Sequence, residues 1–230
     1  MNGQPFTVGV DPSGRGQDGT TVMDPAGHPV PARRPPINVS VVIPYHPARA
    51  DNGMLYRAVD SVGRQTVRHT LHTVEDADGQ GAAATRQRGL EAVSTEWVAF
   101  LDSDDEMDPT HLEQLLACAR ATGADYVYSH YRVAGGTDPR PWMLGRSWSN
   151  EDPQQTTITV LVRTDLAQSV GFRTEGDLRS PHRRYAGEDW AFTLGCLAAG
   201  ARIVHHPHIT WTWHHHGQNT SGLPGRGDAR

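Results

Sequence analysis

The chain has 230 residues, 37% of them hydrophobic, with 24 Gly and 16 Pro. That composition fits one large domain or two small ones, with a sizeable core and end segments that add little to it. Net charge is −5 and every basic residue is Arg, with no basic tract to suggest general nucleic-acid binding. No apolar run reaches membrane-spanning length, and no basic start followed by an apolar stretch opens the chain. These features predict a cytoplasmic protein without a membrane span. Cys118 and Cys196 fall in predicted helices among apolar residues and read as reduced core residues, not as a disulfide.

Residues 1–36 hold seven Pro and six Gly and read as a flexible arm with one short strand at Phe6–Val10. From Ile37 the composition changes. Asn38–Ile43 is a β-branched run that predicts a buried parallel strand stopped by Pro44. Leu55, Ala58, Val59 and Val62 predict an amphipathic helix over Asn52–Gly63. A strand over Thr70–Glu75, a helix over Ala82–Val93 and a strand over Trp97–Leu101 follow. Asp108 as N-cap and Pro109 at the first helical position predict the next helix, with an apolar stripe of Leu112, Leu115, Leu116 and Ala119 and a C-cap at Gly123. Asp125–Tyr131 is a fourth strand. Alternation of this kind predicts a doubly wound, mostly parallel α/β sheet with right-handed crossovers.

The second half is less regular. Gly135–Pro153 reads as a loop, Thr156–Arg163 as a strand with a short helix to Val170, and Arg173–Ala186 as an Arg-rich loop. A helix over Gly187–Ala199 opens with Glu188-Asp189-Trp190 and ends at Gly200, and Ala201–His205 is a short strand. His205–His216 carries six histidines, and residues 217–230 read as a flexible tail.

The chemistry concentrates after the third strand. Asp102, Asp104, Asp105, Glu106 and Asp108 place five carboxylates within seven positions, a self-repelling arrangement unless something positive sits among them. In open α/β sheets ligands bind beyond the carboxyl ends of strands. The Asp-x-Asp spacing lets two carboxylates in one turn share a cation and a phosphate bound to it. Oxygen ligands of this kind suit Mg²⁺ or Mn²⁺. A solvated acidic loop is the plain alternative.

Four segments, Val39-Ser-Val-Val-Ile-Pro-Tyr45, Val74-Glu-Asp-Ala-Asp78, Phe100-Leu-Asp-Ser-Asp-Asp105 and Gly187-Glu-Asp-Trp190, stand in this order. Together they resemble the family 2 glycosyltransferases, which have the GT-A fold: a Rossmann-like, mostly parallel sheet with helices on both faces and an irregular acceptor-side second half. Arg86-Gln-Arg-Gly-Leu90 matches a further family segment. His46, Glu75 and Gln87 depart from the usual Asn, Asp and Asn; the last two bear on the choice of nucleotide or donor more than on the reaction. The resemblance divides the chain into a nucleotide-binding half at 37–131 and an acceptor and catalytic half at 132–216.

The resemblance implies sugar transfer from a nucleoside diphosphate sugar, a UDP-sugar as first guess, to a hydroxyl or amine acceptor. It implies direct metal contact for Asp104, with Asp102 on the ribose or on the metal's water shell and Asp105 supporting either. Asp189 becomes the base, with Glu188 beside it, and a single base implies inversion. Asp76 would bind the nucleobase. Pro44 and Tyr45 line the base and ribose pocket or simply make a turn. Arg86 and Ser103 fall at the donor site, and Arg183 and Arg184 clamp phosphate or sit in a solvated loop. A histidine completes the metal site, His216 first and His214 second, which favours Mn²⁺ over Mg²⁺. Trp142 and Trp148 stack on an acceptor sugar or anchor their loop. Two rival readings stay open: a nucleotidyltransferase on a related sheet, and a binder of nucleotide sugar or glycan without turnover.

Overall fold

The computed structural model describes residues 38–138, 141, 144–153, 156–173 and 187–217. The expected N-terminal arm, the arginines 183 and 184, Trp142 and nearly all of the C-terminal tail lie outside the described residues. The elements run β1 (Val39–Tyr45), α1 (Pro47–Asp51), α2 (Met54–Gly63), β2 (His69–Glu75), α3 (Ala82–Glu91), β3 (Trp97–Phe100), β4 (Glu106–Met107), α4 (His111–Thr122), β5 (Tyr126–Ala134), β6 (Val160–Arg163), α5 (Thr164–Val170), α6 (Glu188–Ala198) and β7 (Ile203–His214).

The seven strands form one sheet in the order β2-β1-β3-β6-β5-β7-β4. β1 is parallel to β2 and β3, and β5 is parallel to β7. β6 is antiparallel to both β3 and β5, and β4 is antiparallel to β7. Five strands therefore share one direction and two oppose it, the mostly parallel α/β sheet of a GT-A fold. The β-branched run at β1 explains its central place: Val41 and Val42 are both fully buried, one on each face. Val39, Val41 and Ile43 pack with residues of α2 and α4, whereas Val42, Val98 and Phe100 pack with residues of α3, α5 and α6.

Several boundaries differ from the sequence reading, each for a physical reason. Pro44 does not stop β1. Val42 O accepts from Leu101 N–H at 3.1 Å, so that side of β1 faces β3, which ends at Phe100 opposite Val42. Pro44, two residues on, lies past the end of that ladder, where its missing N–H leaves no acceptor unpaired. The helix expected from Asp108 begins two residues later, with Thr110 as N-cap. The Asp108 carboxylate instead takes both arms of Arg132, at 2.6 and 2.8 Å. The short α1 and β4 were not expected. β7 is far longer than the strand foreseen at 201–205, and most of the histidine-rich segment is strand. It passes Pro207 by a register shift, Ser129 pairing with His206 and His130 with Ile209. The strand expected from Thr156 begins only at Val160. Among the described residues no helix is long and apolar enough to cross a membrane.

Candidate active site

Parallel strands that share a direction deliver their carboxyl ends to one rim. There β1 ends in Tyr45, β3 leads into the acidic run and β7 ends in His214, and a cleft of about 350 Å³ opens between them. Pro44, Tyr45, Asp76, Arg86, Asp102, Ser103, Asp104, Asp105, Glu188 and Asp189 all line it. The acidic turn and the Glu188-Asp189 pair, whose nearest members Asp105 and Glu188 are 83 positions apart in the chain (188 − 105), thus share one cavity.

Arg86 holds the two carboxylate groups together. Its side chain is 4% exposed. One guanidinium nitrogen lies 2.5 Å from Asp102 Oδ1, and the other lies 3.3 Å from Glu188 Oε1 and 3.1 Å from Asp189 Oδ1. Burial alone would favour losing the proton, but the carboxylates of Asp102, Asp189 and Glu188 outweigh it and push the Arg86 pKa up. Close packing of α3 puts the guanidinium there. A Cβ at Gly89 would stand 2.5 Å from Val42 Cγ1, so only glycine lets this helix lie so near β1.

The Glu188-Asp189 pair opens α6, whose N-cap Gly187 has φ 125°. The next turn is fixed rigidly. Trp190 and Phe192 are buried, and Phe192 stacks on Phe172 at 4.4 Å. The Thr193 hydroxyl lies 3.0 Å from the Tyr126 hydroxyl and donates to Asp189 O at 3.0 Å. A helix start tied to β5 in this way holds both acids at the cleft wall.

The aspartate turn is compact: one carboxylate oxygen from each of Asp102, Asp104 and Asp105 falls within 4.8 Å of the others. Burial pushes the Asp102 carboxyl up, Arg86 pulls it back, and Asp104 pushes it up again. Burial raises Asp105 well above the usual carboxylate range, and Asp102 and Asp104 add to it, although His214 N–H donates to its Oδ1 at 2.9 Å. Carboxyls held up by one another are what a divalent cation would stabilise as anions. His216 Nε2 lies 2.9 Å from Asp104 Oδ2, which puts an imidazole beside one member of the oxygen set. These donors fit Mn²⁺ and, with fewer of them, Mg²⁺.

Other sequence-predicted residues take different positions. The His214 ring points to Glu106, with Nε2 2.9 Å from Oε1, so His214 bears on Asp105 through its backbone and its imidazole is not among the aspartates. Both Asp76 oxygens already accept backbone N–H groups, from Gln80 at 2.8 Å and Gly81 at 2.9 Å. These bonds overcome the effect of burial and lower its pKa. Asp76 therefore shapes the turn before α3 as well as facing the cleft. The Tyr45 hydroxyl donates to Glu75 at 2.9 Å, joining the ends of β1 and β2. Trp148 is an anchor: it packs edge-on to Tyr128 at 6.0 Å, and its Nε1 donates to Asn150 at 2.7 Å. Sequence reasoning missed Arg49 and Trp213, which also line the cleft. Arg49 stands just after the first strand, a place that alone could have drawn attention to it.

Comparison with known proteins agrees with the fold. The family described as Glycosyl transferase family 2 matches residues 68–175. The succinoglycan biosynthesis protein ExoM of Rhizobium meliloti is 29% identical over 126 residues, covering 51% of this chain and 40% of that protein. ExoO of the same organism is 24% identical over 147 residues, covering 59% and 42%. The crystal structure of S. aureus TarS in complex with UDP-GlcNAc superposes with a TM-score of 0.66 at 16% identity, covering 81% of this chain and 62% of that one. Fold and site together define a GT-A domain, and over residues 68–175 the chain is similar to the family 2 glycosyltransferases. It spans less than half the length of the curated relatives ExoM and ExoO.

Proposed function

We propose that this chain transfers a sugar from a nucleoside diphosphate sugar to a hydroxyl or amine acceptor, with inversion, and that a divalent cation is required. One observation carries the reading: through Arg86, the acidic turn and the Glu188-Asp189 pair face each other across a single cleft within hydrogen-bond distance of one guanidinium. A diphosphate gathered at the aspartates would leave the attached sugar between them and the second pair.

In this reading the acceptor oxygen or nitrogen attacks the anomeric carbon as its proton passes to Asp189. The bond from that carbon to the diphosphate oxygen breaks, and its electron pair leaves with the diphosphate. A base on the far face from the leaving group gives one displacement and hence inversion. Such a base contributes about 10²–10⁴-fold in rate. A Mn²⁺, or Mg²⁺ in its place, held by Asp104 with Asp102, Asp105 and His216 would neutralise the charge that builds on the leaving diphosphate. Arg86, buried between the acids, adds a fixed positive charge at the donor end. Pro44, Tyr45, Asp76 and Ser103 form the wall nearest β1, where the nucleotide fits. A uridine nucleotide is the first choice, since TarS binds UDP-GlcNAc on the same fold.

The test is release of UDP and sugar from UDP-sugars, with and without Mn²⁺, together with melting of the protein in UDP. Asp189→Asn is expected to lower turnover about 10²–10⁴-fold while the UDP-induced rise in melting temperature persists. Asp104→Asn is expected to remove the Mn²⁺-dependent part of that rise. A wild type that neither binds any nucleoside diphosphate nor turns over any nucleotide sugar would end the proposal.

A further inference from the structure

Arg49 is a positive side chain that stands where a cation would stand. It comes from the short α1, directly after β1. Its Nη2 lies 3.3 Å from Asp104 Oδ2, and its Nη1 lies 3.1 Å from His216 Nε2. His216 Nε2 is in turn 2.9 Å from the same Asp104 oxygen. The side chains of Arg49 and His216 are both 18% exposed.

These three groups cannot all be satisfied at once. If His216 Nε2 carries a proton, it donates to Asp104 but turns an N–H toward the Arg49 N–H. If Nε2 is bare, it accepts from Arg49 but turns its lone pair toward the carboxylate. A cation without hydrogens between Asp104 and His216 removes the conflict, because the bare Nε2 and the carboxylate oxygen then both donate lone pairs to it. Two positive centres will not share that oxygen, so Arg49 must give way. Its forked guanidinium, still in the cleft, matches a diphosphate in geometry and charge.

We propose that Arg49 couples cation binding to donor binding: it occupies the cation ligands until a nucleoside diphosphate offers it another anion. The proposal rests on the reading of Asp104 and His216 as cation ligands. It makes the bare site a weak binder of Mn²⁺ and the nucleotide a promoter of cation binding, by more than the cation's own bridge to the phosphates supplies. By linkage the promotion is reciprocal.

The experiment measures Mn²⁺ affinity by titration with free Mn²⁺ followed by electron paramagnetic resonance, without UDP and at saturating UDP. UDP affinity is measured by calorimetry in Mn²⁺. Wild type, Arg49→Met and Arg49→Lys are compared, each first checked by thermal melting. Without UDP, Arg49→Met is expected to bind Mn²⁺ about tenfold more tightly than wild type, and UDP about tenfold less tightly in Mn²⁺. Its gain in Mn²⁺ affinity on adding UDP shrinks accordingly. Arg49→Lys keeps the charge without the fork and is expected to fall between the two, which preserves the test if the methionine variant does not fold. Unchanged Mn²⁺ affinity in the variants, or weaker Mn²⁺ binding without UDP, overturns the role given to Arg49 and leaves the glycosyl-transfer reading standing. A wild type that binds neither Mn²⁺ nor UDP overturns both.

Discussion

Replacing Arg86 by Met removes a buried cation of nearly matching length and leaves three carboxylates facing one another. Breaking a fully buried ion pair from one side costs about 3–5 kcal/mol. Here the side chains of Asp102, Glu188 and Asp189 are 37%, 33% and 31% exposed, so water takes up part of the loss, and about 2–4 kcal/mol is expected. The methionine keeps most of the packing against Phe172, whose ring centre lies 6.0 Å from the guanidinium carbon, so the loss is mainly electrostatic. That makes it depend on pH with a definite sign. Burial already pushes the Asp102 carboxyl up in the folded chain, and without Arg86 to pull it back it titrates higher still. The folded state then binds more protons, and the penalty shrinks as pH falls. Urea unfolding of wild type and Arg86→Met at pH 7.5 and pH 5, with fitted slopes compared, reads this directly. A large loss at the higher pH and a smaller one at the lower is expected, and Mn²⁺ at pH 7.5 should restore part of the difference. A cost that is the same at both pH values, or below about 0.5 kcal/mol as for an ordinary surface site, would refute the account of Arg86 as the group that holds the two acidic segments together.

Other outcomes follow from particular contacts. His111 is fully buried, and burial lowers its pKa to about 4. The unfolded chain therefore binds the extra proton first as pH falls below about 6.5, and stability drops until about pH 4, by about 3 kcal/mol in all. His111→Leu should flatten that part of the stability curve relative to wild type. Gly89→Ala sets a methyl 2.5 Å from Val42 Cγ1 and 3.0 Å from Val74 Cγ2. It should cost about 1–3 kcal/mol in denaturant unfolding, and it should weaken UDP binding because α3 carries Arg86. Arg132→Ala breaks the two-armed contact with Asp108, but Arg132 is 48% exposed, so a loss of no more than about 1 kcal/mol is expected by the same measurement.

What could be read from the sequence divides by the range of the interactions. The β-branched run of β1, the apolar stripe of α4 and Gly123 as its C-cap at φ 67° are local patterns, and the structure holds them where periodicity and capping place them. Pairing is not local. Nothing in Val160–Arg163 says that it runs antiparallel between β3 and β5, and nothing in the histidine-rich segment says that it belongs to a twelve-residue strand. The site divides in the same way. Acidic residues declare themselves because they crowd along the chain, as at Asp102–Asp108, or mark a helix start, as at Glu188. Their counter-charges do not. Arg86 stands out only through the family-like segment Arg86-Gln-Arg-Gly-Leu90 and Arg49 not at all, and their importance comes from partners as distant as His216 and Asp189. A cluster of like charges in a folded chain nonetheless implies positive groups nearby, since burial without them costs several kcal/mol. The acidic run therefore predicts arginines at the cleft even where the chain does not reveal which ones. With no lysine available, each is a forked donor able to serve two acids at once or to bind a phosphate.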